Sequence, residues 1–222
     1  MLMDNQATST SHSRRHRKQT IAGCVLCSLA AVSLAGCAQL VRPNYTQNIV
    51  EIRGGQYSLD KQHTYVNFSI DHLGLSKIIG RFNTIDGSLD FDPENLTELS
   101  LQGVIDATSV DVNNTDLEEA LQGSDWFSTA QFPQITFEST TVEAGTDGNL
   151  AINGDFTMRG ITRPITLNAR FNGGADNFIT RKYTLGFSAS TTIKRSDFGI
   201  DTWTALIGDD VEVTLHGEFL RN

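Results

Sequence analysis

Strict alternation of apolar and polar residues is the dominant pattern of the chain from Gln56 onward. The first run places Val66, Phe68 and Ile70 on one face, with polar or small residues between them. Further runs with the same period begin at Ile85, Leu99, Ile135, Leu150, Ile165, Tyr183 and Val211. Turn signals such as Asp92-Pro93 and Asn172-Gly173-Gly174 separate the runs. The pattern predicts an all-β domain of eight or nine antiparallel strands.

Such a domain must protect the edges of its sheet from pairing with other chains. A single closed up-and-down barrel and a two-sheet sandwich both achieve this, and periodicity alone does not choose between them.

A helical insertion is predicted near residues 115–128, because Thr115 and Glu118 have the spacing of a capping box and Gly123 supplies a stop. Asp125-Trp126-Phe127 is expected to begin a second helical turn. The insertion could plug the core or form a rim over a cavity entrance.

The N-terminus has the charge and hydropathy order of an export signal. A basic run at 13–18 precedes an uncharged, mostly apolar run at 21–35, which is too short to span a bilayer. This run ends in Leu34-Ala35-Gly36-Cys37, which resembles the lipobox of bacterial lipoproteins. The resemblance implies that residues 1–36 are a signal peptide and that Cys37 becomes an acylated N-terminus. An uncleaved N-terminal anchor is the alternative.

The predicted organisation is therefore a signal peptide (1–36), a lipidated cysteine with a flexible tether (37–55) and a β-barrel domain (56–222). Cys24 and Cys27 have CxxC spacing but lie inside the signal, so they indicate neither redox chemistry nor a metal site. Ala38 follows the lipobox cysteine, where aspartate usually signals retention in the inner membrane. The expected location is thus the bacterial cell envelope, with the protein anchored in the outer membrane and facing the periplasm.

The charge balance limits the class of partner. The chain has 17 basic and 26 acidic residues, a net charge of −9, and removal of the signal makes this −12. Nucleic-acid binding is not expected, because phosphate contacts need clustered Lys and Arg. Anionic ligands in general are disfavoured by the same argument.

Small residues recur at inward positions of the predicted strands. An eight-stranded barrel can be filled by its side chains or can hold one small ligand, and small inward residues favour a cavity. A glycine in a strand can equally mark a bulge or a bend. The inward small residues are Gly87, Gly103, Gly154, Gly217, Ala169 and Ala189.

Catalytic and metal-binding motifs are missing from the sequence. The three histidines after the signal lack the paired spacing of a metal site, and no nucleophile elbow or phosphate loop is present. We therefore expect no catalytic residues, no metal and no cofactor. His63, His72 and Arg81 are candidates for polar contacts to the head group of a ligand.

An ordered set of sequence blocks resembles the YceI-like family. The blocks run from about Tyr57 to Phe219 without a large gap, and each is weak alone. They are Tyr57–His63, Val66–Gly74, Ile79–Phe82, Leu121–Phe127, Phe132–Phe137, Gly154–Pro164 and Ile193–Gly199. The resemblance implies a lipocalin-like, single antiparallel up-and-down barrel that binds a polyisoprenoid lipid in an apolar tunnel. The family has no established catalytic residues to transfer.

The expected function is binding of a polyisoprenoid, such as a prenylated quinone, as a carrier, a store or a stress-protective lipoprotein. Two alternatives stay open: an enzyme acting on a prenyl or acyl lipid through His63 or His72, and a structural envelope protein with a filled barrel. A homodimer is also left open. Strand register selects as the apolar lining Phe68, Ile70, Phe82, Leu89, Leu101, Trp126, Phe127, Phe137, Ile152, Phe156, Met158, Leu167, Phe187, Ile193 and Phe198.

Overall fold

The computed structural model describes residues 45–222. The predicted signal peptide, Cys37 and the first part of the predicted tether lie outside these residues. The secondary structure consists mainly of strands: β1 (Gly55–Leu59), β2 (Tyr65–His72), β3 (Ser76–Phe82), β4 (Ile85–Phe91), β5 (Ser100–Asp106), β6 (Val110–Asp111), β7 (Gln134–Ala144), β8 (Asn149–Met158), β9 (Ile161–Asn177), β10 (Lys182–Lys194) and β11 (Ile207–Arg221). The helix α1 (Thr115–Gln122) lies between β6 and β7.

The strands form one closed antiparallel barrel with eight positions. The first three positions each hold two strand segments in succession, namely β1 with β2, β3 with β4, and β5 with β6. Both β1 and β2 pair with the same edge of β11, as the partners Tyr57–Arg221 and Tyr65–His216 show. Each of the other positions is followed in the ring by the position that comes next along the chain, so that β1 pairs with β4, β3 with β6 and β5 with β7. The predicted all-β, up-and-down barrel is confirmed, and the sandwich is excluded.

The helix α1 begins one residue earlier than the capping-box spacing predicts. Asn114 is the N-cap, and its Oδ1 accepts a hydrogen bond from Leu117 N at 3.1 Å, while Glu118 Oε1 accepts from Asn114 N at 3.2 Å. The helix ends at Gln122, as the Gly123 stop predicts. The prediction of a second helical turn at Trp126 was wrong, because residues 124–127 form hydrogen-bonded turns instead. In the described part of the chain, no helix is long and apolar enough to cross a bilayer.

One end of the barrel is sealed by densely packed side chains. Tyr57, Phe91, Phe171 and Leu185 are completely or almost completely buried there. Ile52, from the segment that precedes β1, is buried in the same cluster. This segment is held by a two-bond ion pair between Arg53 and Asp176, with N–O distances of 2.7 Å, and by the Tyr57 hydroxyl, which donates to the Arg53 carbonyl. We call this the closed end.

Candidate functional site

An apolar cavity of about 250 Å³ occupies the barrel interior. Along β11 its lining extends from Ile207 to Phe219, which corresponds to about 40 Å of extended strand. At the usual strand tilt, this is a depth of about 30 Å along the barrel axis. The side chains that face the cavity are aliphatic or aromatic with few exceptions. Its shape and lining suit a long apolar chain.

Almost all residues that strand register selected line this cavity. They are Phe68, Ile70, Phe82, Leu89, Leu101, Trp126, Phe127, Phe137, Ile152, Phe156, Met158, Leu167, Phe187 and Ile193. Phe198 is the exception: it is buried behind the lining, where its ring packs edge-on against Phe156 with 5.4 Å between the centroids. That these residues contact a ligand stays a prediction.

The inward glycines have different roles. A Cβ at Gly154 would overlap the Phe137 ring, so this glycine makes room for an aromatic side chain rather than for a ligand. At Gly87 a Cβ would lie 2.7 Å from the carbonyl oxygen of Gln102, and at Gly217 it would meet Thr64 at 3.3 Å. Gly103 alone among these four has no atom within 4 Å of its Cβ position. Among these four glycines, only Gly103 therefore adds free volume to the cavity.

We infer that the cavity opens at the end opposite the closed end. There the lining residues Ile78, Leu117 and Ile207 are only partly buried. They come from β3, α1 and the start of β11, and we infer that the opening lies among these three elements. We call this opening the mouth. Leu121 of the helix is buried in the core and Leu117 is only partly buried, so both expected roles of the helical insertion, as a plug and as a rim, stay predictions.

Arg195 is a buried charged residue that lines the cavity near the mouth, with only 2% of its surface exposed. Its guanidinium donates to the carbonyl oxygens of Gly208 at 2.8 Å, Ile200 at 2.9 Å and Ile207 at 3.0 Å. The guanidinium carbon also lies 5.4 Å from the centre of the Trp126 ring. Burial lowers the pKa of Arg195 from its usual value. The sequence prediction missed this residue, although it has the same strand parity as inward-facing Ile193.

The three predicted head-group residues do not line the cavity. His63 Nδ1 lies 2.9 Å from an Asp60 carboxylate oxygen, and this hydrogen bond raises the pKa of His63. Arg81 is on the exposed face of β3, paired with Asp111 at 2.9 Å. His72 is the last residue of β2, near the mouth. Contact between these residues and a ligand head group stays a prediction.

Among the described residues that border the cavity, two besides Arg195 have titratable side chains, and both side chains point to solvent. Asp86 is exposed and pairs with Lys61 at 2.6 Å, and His216 is exposed beside Ser188. Asp60, His63 and Glu218 bring three potential metal-ligand atoms within 4.8 Å of one another, but outside the cavity. The interior thus offers a binding surface and, at the mouth, one fixed cation.

Comparison with known proteins identifies relatives of the whole barrel. The family model for the YceI-like domain matches residues 57–219. Protein YceI of Escherichia coli is 39% identical over 164 residues, covering 73% of this chain and 85% of the relative. Among solved structures, BcnA of Burkholderia cenocepacia has a TM-score of 0.66 at 23% identity, with 72% of this chain and 98% of that one covered. A polyisoprenoid-binding domain of Saccharophagus degradans has a TM-score of 0.55 at 16% identity, with 75% and 98% covered.

These two structures support the barrel fold, and the sequence matches establish the relationship. The family model covers the chain from β1 to β11, including α1 and every part of the cavity wall. On this evidence, the chain belongs to the YceI-like family.

Proposed function

We propose that this protein binds a polyisoprenoid lipid with a neutral head group, such as a prenylated quinone, as an envelope carrier, store or protective lipoprotein. The observation that carries the proposal is the apolar cavity that runs through most of the barrel. Each methylene that leaves water for such a surface contributes about 0.8 kcal/mol, so a long prenyl chain gains affinity in proportion to its buried length. The Saccharophagus degradans domain, described as polyisoprenoid-binding, has the same fold.

The cavity geometry favours one orientation of the lipid. Because the closed end is sealed by buried side chains, the apolar tail enters first and the head group remains near the mouth. Among the described residues that line the cavity, Arg195 is the one Lys or Arg, and three of its N–H groups already donate to backbone carbonyls. Its remaining donors suit a carbonyl oxygen of the ligand better than a diphosphate, which needs several cations.

The charges around the barrel support a neutral head group. Arg81 is paired with Asp111, and Lys194 is paired with Asp210 at 2.7 Å, so neither offers an uncompensated positive charge. The net negative charge of the chain also repels a diphosphate.

Ligand selection tests the proposal. The barrel fragment 45–222, which contains all strand pairs, is incubated with equal amounts of a prenylquinone, a prenyl alcohol, a prenyl diphosphate, a fatty acid and a phospholipid. After gel filtration, solvent extraction and mass spectrometry, we expect one neutral prenyl lipid per protein. The apolar walls and the acidic surface together predict this selection.

The same five-lipid experiment distinguishes the proposed function from the remaining alternatives. Selection of the diphosphate, the fatty acid or the phospholipid would contradict the proposed ligand class. A protein that retains none of the five lipids would support the filled-barrel alternative. Chemical change of the retained lipid, followed in the same extract over time, would support the enzyme alternative.

We further propose that Cys37 carries an acyl anchor that holds the protein on the periplasmic face of the outer membrane. The described chain starts beside the closed end, where Thr46 pairs with Gly174. An anchor on Cys37, eight residues before Tyr45, would thus be connected to the barrel at the closed end rather than at the mouth.

Mass spectrometry of the full chain, purified from bacterial membranes, tests the anchor. We expect a mature protein that begins at Cys37 and carries acyl groups, because the residues before it have lipobox order. The Cys37→Ala variant should be found in the precursor form or in the soluble fraction. An intact N-terminus at Met1 in the native chain would instead support the uncleaved anchor.

A further inference from the structure

Two neighbouring loops at the mouth expose large apolar side chains to solvent. The β2–β3 turn presents Leu73 and Leu75, and the loop before β11 presents Trp203 and Leu206. The exposed fractions of these four residues lie between 43% and 84%. We call them the apolar rim. Exposed apolar residues that cluster in this way usually mark an interaction surface.

The backbone holds the apolar rim in place. Leu73 and Trp203 have φ angles of 61° and 60°, which side-chain-bearing residues rarely adopt. Leu73 N donates to the Leu206 carbonyl oxygen at 2.8 Å, and Leu206 N donates to the Trp203 carbonyl oxygen at 2.8 Å. The two loops are therefore joined to each other, and an unfavourable backbone conformation is maintained where these side chains face water.

The apolar rim is continuous with the cavity. Ile207, which follows Leu206, lines the cavity, and so does Ile78, three residues after the β2–β3 turn. An apolar surface thus extends from the barrel interior, across the edge of the mouth, to the tips of the loops. A prenyl chain that follows this surface remains shielded from water only if the loop tips contact an apolar phase.

We propose that the apolar rim docks the mouth onto the surface of a lipid bilayer, so that the ligand passes directly between membrane and cavity. This inference rests on the proposed lipid ligand. A bilayer is the occupant because the proposed ligand is dissolved in one, and because tryptophan and leucine at loop tips suit the membrane interface.

The charges beside the apolar rim indicate which force would hold it on a bilayer. The segments 72–76 and 202–208 contain no Asp, Glu, Lys or Arg, and the residues that flank them are Asp71, Lys77, Asp201 and Asp209. Lys77 is already paired with Glu212. Docking is therefore driven by apolar insertion and not by attraction to anionic head groups. Zwitterionic vesicles should be sufficient, and anionic lipids should not strengthen the interaction.

The test measures transfer of a radiolabelled long-chain prenyl alcohol from phosphatidylcholine vesicles to fragment 45–222. We expect the double variant Leu75→Ser/Trp203→Ser to acquire the alcohol about tenfold more slowly or worse, because two apolar insertions are lost. The matched control is Phe178→Ser/Ile179→Ser, which removes two apolar residues that are 61% and 78% exposed on the β9–β10 turn, at the closed end. This control should transfer the alcohol at the native rate.

Two further measurements separate the outcomes. Flotation with vesicles that lack the alcohol should show weak binding of the native fragment and of the control, and loss of binding in the rim variant. Loading of the alcohol from ethanol solution should be the same for all three proteins, and failure of the native protein to load would instead contradict the proposed function. Equal flotation of all three proteins would overturn the docking surface. So would a native dimer that dissociates in the rim variant, since the rim would then bind a second copy of the chain.

Discussion

Replacement of Gly103 by leucine is expected to block the cavity and to weaken prenyl-lipid binding by more than about tenfold. The Cβ position of Gly103 has no atom within 4 Å, and its φ lies outside the left-handed region, so the backbone accepts a side chain there. The new side chain would occupy space beside Gly87 and Phe137, the cross-strand neighbours of Gly103. Each methylene of ligand that it displaces costs about 0.8 kcal/mol, and two displaced carbons reach a tenfold loss.

The measurement is titration of the fragment 45–222 with a prenyl alcohol, together with thermal unfolding. The matched control is Gly186→Leu, an outward-facing glycine whose Cβ position has its nearest neighbour at 3.7 Å. This control should bind like the native protein. Unfolding of Gly103→Leu should change little, since the residue fills empty space without displacing packed atoms. Native affinity in a folded Gly103→Leu protein would show that the ligand does not use this cavity.

The cavity lining could be predicted from the sequence because a β-strand alternates its side chains between two faces. Once Val66, Phe68 and Ile70 are placed inward, the same parity identifies inward residues on every strand that runs without interruption. The method fails where the chain leaves the strand: Phe198 follows β10 in a short helical turn and is buried behind the wall instead of lining it. Arg195 begins the same turn and still lines the cavity, but a selection restricted to apolar residues could not include it.

The sequence was least informative about the inward glycines, because it did not show which of them leave free volume in the cavity. Gly103 and Gly154 both face inward, yet one leaves open space and the other receives the Phe137 ring. The difference depends on the rotamer of a residue on a neighbouring strand, which no local pattern contains. The division of three barrel positions into two strand segments was likewise not predicted, because it depends on which distant strand each segment pairs with, as when β1 and β2 both pair with β11.

Substitution of Arg195 by methionine is expected to lower the free energy of unfolding by about 3 kcal/mol. The methionine retains the apolar stem of the side chain but removes all three donors to the carbonyls of Ile200, Ile207 and Gly208. These carbonyls belong to the loop before β11 and to the first residues of that strand. Loss of the three hydrogen bonds therefore releases this segment, which forms part of the mouth. Buried acceptors without donors account for most of the expected loss.

Denaturant unfolding of fragment 45–222 measures the effect, and two variants show its origin. Arg195→Lys retains the charge but cannot reach three carbonyls from one ammonium group, so its loss of stability should be intermediate. Arg170→Met, on the exposed face of β9, removes the same type of side chain from the surface and should change stability by less than about 0.5 kcal/mol. Equal stabilities of Arg195→Met and Arg170→Met would show that the three hydrogen bonds do not hold the loop. A full loss in Arg195→Lys would instead show that the planar guanidinium, and not its charge, stabilises the mouth of the barrel.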